Sequence, residues 1–407
     1  MKMIELTKEK FEEFKKDSKY DNFEQTENYA LAMKYDNFRH MYVAYTTNDL
    51  EILAAGMFLI KDINKSASYA YCPKGFIIDY ENNELVRKFS KNIVKFFKKN
   101  NIIFLKTNPE FPIATIDYKN NYAKTTLTTN NALMEMKKTG FMRRKELIPL
   151  ELLEPKISAI VNLKEYDYEK LDNNFKNKIT RNDGYEIEIG DSSSFDKIAQ
   201  FTDENLLEYY KNVYESFKKD NLIDLVLLKI NYEKCVISAK NKTDIETERN
   251  DLLNKQLQQE PSEEILSKKM ESDKLLELYK QDVIHATAGL KKNEETYIAY
   301  ALIIKYNNKI TFFANRINND YEQYKPNYYL YHKILEMYKE EYELADLYGI
   351  ANDFSETSTY KELNDLKIGF NPKIYEYAGE LDIIINKFKY RIYANNITYS
   401  RVKTKRN

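Results

Sequence analysis

The sequence predicts an α/β protein built from two similar halves and a long helical arm. Two observations carry this expectation. A strand–strand–strand–helix–strand order occurs twice along the chain. Between the two occurrences lies a charged stretch with no glycine. The chain has 407 residues, enough for two or three domains, and 43% are apolar, enough for a sizeable core.

The first occurrence spans residues 41–106. Residues 41–46, 52–60 and 67–72 are short runs of β-rich composition, separated by turn-forming stretches such as Thr47-Asn48-Asp49. Residues 84–99 follow, with Leu85, Phe89, Ile93, Phe96 and Phe97 on one face at helical spacing. Asn100-Asn101 ends that helix, and residues 102–106 read as a buried strand. In the second occurrence, residues 283–290, 297–306 and 309–315 read as strands. Residues 328–343 read as a helix, with Tyr331, Ile334, Leu335, Tyr338 and Tyr342 on one face, and 346–350 as the closing strand. Three meandering strands, a helix and a further strand form the core of the GNAT acyltransferase fold. Its repetition predicts twin GNAT-like domains, the first over residues 1–145, the second over 146–239 and 283–407.

Residues 240–282 have no Gly and one Pro and are rich in Glu, Lys, Gln and Leu. That is the composition of an exposed helix pair. Ile245, Leu252, Leu253 and Leu257 would line one helix, and Leu266, Met270, Leu276, Tyr279 and Val283 the other. Glu260-Pro261-Ser262 breaks them, and Pro suits the first turn of the second helix. Helices of about 17–20 residues would be about 25–30 Å long. The expectation is an antiparallel coiled-coil arm.

Charge and motifs narrow the chemistry. The net charge is −1, so contact with nucleic acid or membrane must come from local patches. From Lys387 onward there are seven basic residues and no acid, with Tyr390, Tyr393 and Tyr399 interleaved. That tail suits phosphates of RNA or anionic lipid head groups, or is simply a solvated basic end. The two cysteines, Cys72 and Cys235, make no disulfide framework and point to a reducing cytoplasm. There is no signal-like apolar run at the start and no stretch of 18 apolar residues. No two of the nine glycines are closer than six residues. This removes the dinucleotide loop, the P-loop, and the glycine-rich turn that cradles acyl-coenzyme A in ordinary GNAT enzymes. A GNAT-like body of this kind takes its acyl group from another donor or has lost activity. His40, His285 and His332 stand apart from any metal-binding motif.

Four segments then carry a resemblance. Phe23-Glu24-Gln25-Thr26 is similar to an F-x-Q-S/T helix start. The run P-K-G-F-I-I-D-Y-E-N of residues 73–82 is similar to R-G-P-V-I/L-D-Y-x-N/D. Leu105-Lys106-Thr107-Asn108-Pro109 stands where a strand ends in Asp-Pro, and Glu376-Tyr377-Ala378-Gly379-Glu380 resembles a closing E-Y-x-G-D/E strand. These motifs, in this order and with the arm in the intervening gap, resemble the Fem family of non-ribosomal peptidyltransferases. The arm itself resembles that of seryl-tRNA synthetase. The resemblance implies transfer of an amino acid from aminoacyl-tRNA to the stem-peptide amine of a lipid-linked muropeptide precursor. It implies no metal, cofactor or covalent enzyme intermediate. It places the enzyme in the cytoplasm at the inner face of the membrane, with peripheral membrane contact and an arm that touches tRNA or a second protomer of a homodimer.

The same resemblance assigns residues. Lys367, in Leu366-Lys367-Ile368-Gly369, matches the F-K-x-G/F lysine near the reaction centre. Asn108 stands where the family has Asp; an amide orients an amine but takes no proton as a carboxylate would. Lys34 corresponds to a lysine that contacts precursor phosphates, although counting from Gln25 places that position on Met33. Asp79 is a nearby carboxylate. Lys176, Lys178 and Arg181 occupy a thinned version of a basic helix used for phosphate, and Phe312 and Phe313 fall where relatives line the peptide groove. Two other readings stay open: an N-acyltransferase with another donor or a non-wall acceptor, and a binding protein without catalysis. Asn108 and the thinned basic helix favour the second.

Overall fold

The computed structural model describes residues 1–120, 122–145, 155–181, 183–292 and 295–399. The repeated order is present. In the first half, strands Arg39–Thr46, Ile52–Asn64 and Ala67–Cys72 form an antiparallel meander. Helix Asn83–Lys99 returns the chain, and Ile102–Thr107 pairs in parallel with Ala67–Cys72. Asn82 caps the helix through its side chain, and Val86, Phe89, Ile93 and Phe97 bury its apolar face. In the second half, Ile223–Ile230, Thr296–Tyr306 and Lys309–Ile317 form the meander. Helix Pro326–Tyr338 follows, and Leu344–Gly349 pairs in parallel with Lys309–Ile317.

The arm corrects two expectations. Residues 283–290 are not a strand: helix Glu263–Lys292 runs through them. The meander's first strand is Ile223–Ile230, so the arm is inserted between the first and second strands. Its helices, Tyr232–Gln259 and Glu263–Lys292, outrun 240–282 at both ends and pack on each other along their length. At 28 and 30 residues they reach about 42–45 Å. Gly289 lets the roots close, since a Cβ there would lie 2.2 Å from the Tyr232 ring. The seam is more polar than the leucine pattern suggests. Leu253 is buried, but Ile245, Leu252, Leu266 and Met270 face outward. Buried instead are Glu246, Asn250 and Ser272. Asn250 Nδ2 donates to Ser272 Oγ (3.1 Å), and Ser272 Oγ donates to Glu246 Oε1 (2.5 Å).

The halves exchange strands. Pro112–Asp117 and Tyr122–Thr125 leave the first half to extend the second sheet, beyond Lys373–Tyr377. Leu381–Ile384 returns from the second half to pair with Ile102–Thr107. An aromatic core seals the contact: the Phe23 ring lies 6.0 Å from both Phe217 and Phe313. Lys387, Lys389 and Arg391 fall on helix Lys387–Tyr399, where Tyr390 stacks on Phe104 of the first half at 5.4 Å. Arg401, Lys403, Lys405 and Arg406 lie outside the described residues. Among the described residues no helix is long and apolar enough to cross a membrane.

A buried charged site between the two sheets

The site grows from the crossover ends of the first sheet. Thr107 Oγ1 donates to the carbonyls of Cys72 (3.0 Å) and Gly75 (2.7 Å), drawing the loop after Ala67–Cys72 over the end of Ile102–Thr107. Gly75 is required there, because a Cβ would stand 2.1 Å from Cys72 Sγ. Gln25 holds the same loop: its Oε1 accepts from Met57 N (2.7 Å) and its Nε2 donates to the Pro73 carbonyl. Thr26 caps helix Glu27–Met33. Two of the sequence motifs thus meet as one structural joint.

Asn108 sits buried in this joint. Its Oδ1 accepts from Tyr71 OH and from the Lys74 backbone N–H, both at 3.1 Å. Its Nδ2 is buried with no hydrogen-bond partner among the described residues. An unmade buried donor is costly and marks a place where a further acceptor fits.

Two residues on, Glu110 crosses to the second half. Its Oε1 lies 2.9 Å from Lys309 Nζ, and it accepts from Asn22 Nδ2. Burial would raise the Glu110 carboxyl, but Lys309 and Lys74 hold it below the ordinary value. Burial likewise works against the Lys309 charge, yet Glu110 and Asp346 keep it above the usual lysine value. Asp346 is buried on Leu344–Gly349, where its Oδ1 accepts from Tyr348 N (2.8 Å). Burial raises its carboxyl, against the pull of Lys309 and Lys74. Tyr348 is left-handed (φ 68°), and so is Lys74 (φ 49°), so two strained turns face the cluster.

Lys367 closes it. The residue is 4% exposed, and its Nζ donates to the Gly349 carbonyl (2.5 Å). Burial pushes its pKa down to about 7, opposed by Asp346. Helix Lys361–Ile368 comes this close because Gly369 has no Cβ; one there would fall 1.9 Å from the Phe175 ring. Lys74 Nζ lies 5.8 Å from the Tyr377 ring. Asn108 and Lys367, far apart in sequence, therefore border one charged cluster.

The remaining expected residues stand elsewhere. Lys34 is exposed at the end of helix Glu27–Met33, and Met33 is buried. Asp79 is exposed, and its carboxylate accepts from Glu81 N (2.9 Å) within a turn. Lys176 Nζ donates to the Glu169 carbonyl (3.0 Å), and Lys178 lies over the Tyr328 ring at 5.3 Å. Arg181 is latched to the arm, with Nη1 2.6 Å from Asp282 Oδ2, beside a cavity of about 510 Å³ at the arm root. Phe312 and Phe313 are fully buried, so they line no open groove: Phe312 stacks on Tyr331 at 4.4 Å, and Phe313 packs into the core between the halves.

Residues 6–396 match the FemAB family. The chain belongs to the FemAB family. Aminoacyltransferase FemA of Staphylococcus epidermidis is 23% identical, over 97% of this chain and 98% of the relative. Lipid II:glycine glycyltransferase of Staphylococcus aureus is 21% identical, over 100% of this chain and 99% of the relative. The crystal structure of FemX superposes with a TM-score of 0.68, covering 96% of this chain and 99% of that one at 17% identity, and so shares the fold. Within this FemAB fold, three charged residues were missed by sequence reasoning: Glu110, Lys309 and Asp346. Glu110 had a signal, standing directly after the motif that ends at Pro109. Lys309 and Asp346 had none, since they meet Glu110 only through the fold.

Proposed function

We propose that this chain transfers an amino acid from aminoacyl-tRNA to the stem-peptide amine of a lipid-linked peptidoglycan precursor. The observation that carries the reading is the full-length similarity to an aminoacyltransferase and to a lipid II:glycine glycyltransferase. The chemistry of the site is compatible with it. In the reaction the amine attacks the ester carbonyl carbon and a C–N bond forms. The tetrahedral oxyanion then collapses, and the C–O bond to the terminal ribose breaks. The amine proton ends on the departing ribose oxygen, so no side chain has to keep it. An amide at position 108 is therefore no obstacle. Asn108 Nδ2 is a spare donor for a substrate carbonyl or oxyanion, and Lys367 is a buried lysine that borders the same charged cluster. In a water-poor site a cation aimed at developing negative charge has large leverage.

Lys34, Asp79, Lys176, Lys178 and Arg181 are kept as substrate-binding proposals, with Lys34 and the basic groups on the phosphate-bearing parts; Phe312 and Phe313, packed in the core, are not. The reaction would take place at the inner face of the membrane, where both anionic substrates are found. The test is incubation of the purified protein with lipid-linked precursor and charged tRNA, with the product weighed by mass spectrometry. A mass gain lost on ribonuclease treatment of the donor supports the reading. A gain that survives it favours an N-acyltransferase with another donor.

A further inference from the structure

The charge balance around Lys367 leaves one relation unused. Among the described residues the cluster holds three lysines, Lys74, Lys309 and Lys367, and two carboxylates, Glu110 and Asp346. Glu110 and Lys309 are already joined at 2.9 Å. Lys74 stands over the Tyr377 ring. Asp346 and Lys367 are both buried, and neither has an ion-pair partner within 4.0 Å among the described residues. Buried charges are expensive, so each must be compensated across space or be neutral.

The backbone ties them together. Asp346 lies on Leu344–Gly349, and Lys367 Nζ is hydrogen-bonded to the last carbonyl of that strand. Between them the chain makes the left-handed turn at Tyr348, whose N–H is held by Asp346 Oδ1. Asp346 thus shapes the turn that presents the Gly349 carbonyl to Lys367. It is also the charged group whose field acts on Lys367. Lys309, Lys74 and Glu110 face Asp346 from the neighbouring elements, and Tyr377 feels Asp346 and Glu110 in turn.

We propose that Asp346 is the carboxylate that favours the ammonium form of Lys367 and shapes the turn that holds it, and so a positioning residue for the cation of the site. The ionisation claim stands by itself; its value for transfer rests on the function proposed above. A lysine is useful to an oxyanion only while protonated, and burial pushes Lys367 toward the neutral amine. The Asp346 carboxylate opposes that effect in part.

Two readouts test this. Protein carrying 13Cε-labelled lysine is titrated by NMR without substrate, with Lys367 assigned through Lys367→Arg. The Lys367 midpoint is expected to fall by at least one pH unit, tenfold in its proton affinity, in Asp346→Asn, and to stay near the parent value in Asp346→Glu. Asp346→Ser replaces Asp346→Asn if that variant does not fold. An unchanged midpoint in the neutral variant overturns the proposal. The second readout is the rate of transfer against pH. In Asp346→Asn the alkaline limb should move down by the same interval, with activity approaching the parent at lower pH. A shifted midpoint with an unmoved rate profile overturns the functional half alone. If the parent transfers nothing, the proposed reaction fails while the NMR result still decides the ion pair.

Discussion

Glu110 Oε1 and Lys309 Nζ stand 2.9 Å apart, one supplied by each half of the chain. Their side chains are 14% and 22% exposed, so the pair is largely shielded and joins the two halves within the charged cluster. Glu110→Gln should cost about 3 kcal/mol, because a buried ammonium loses its partner. The pH dependence follows from the directions of the shifts. The Glu110 carboxyl is held low, so its contribution is present above about pH 4.3 and is lost as pH falls through the folded value. Lys309 is held high, so its contribution is full below about pH 10.4 and is lost as pH rises through the folded value. Urea titrations should show a flat difference between parent and variant from about pH 5 to 10, shrinking in acid.

Gly369→Ala tests the approach of the Lys367 helix. The new Cβ would be 1.9 Å from the Phe175 ring, so the ring or the helix must move. Overpacking of this kind costs about 1–3 kcal/mol. Transfer activity should fall with stability, and Phe175→Leu in the same chain should recover part of both.

Asn108 and Lys367 should differ in weight. Asn108→Asp keeps the acceptors for Tyr71 OH and Lys74 N–H and loses the spare donor. Single-turnover rates are expected to change by no more than about tenfold, since one neutral donor contributes about 1–1.5 kcal/mol. Lys367→Met removes a buried cation and should slow transfer about a hundredfold or more. Full turnover in Asn108→Asp with none in the parent would point to a lineage that kept the fold and lost catalysis.

The arm latch should be local. Asp282→Asn removes the charge opposite Arg181, whose Nη2 is already buried without a hydrogen-bond partner among the described residues. The cost should be about 1–3 kcal/mol. Hydrogen exchange should quicken around Asp282–Gly289, with little change at Asn83–Lys99.

Much of the fold could be read from residue order. The strand over Ala67–Cys72 and the helix over Asn83–Lys99 are local decisions, set by β-rich runs, Asn turns and a clear apolar face. Residues 283–290 misled because Val283, Ile284 and Thr287 favour a strand in isolation. The continuing helix wins through packing of Gly289 and Ala286 at the arm root. Ile223–Ile230 escapes the sequence pattern for a different reason: the meander it opens resumes only after the arm. The site was half legible. Lys367 and Asn108 carry motif signals, but the partners that set their surroundings, Glu110, Lys309 and Asp346, meet only through strand pairing between distant segments.

The central claim is that this protein moves an aminoacyl group from tRNA to a cell-wall precursor. The most direct measurement is the mass of lipid-linked precursor after incubation with the protein and total charged tRNA. The account predicts a gain equal to one or more amino-acid residues, abolished by ribonuclease and by Lys367→Met. No gain with any precursor carrying a free stem-peptide amine, or a gain indifferent to ribonuclease, would contradict it.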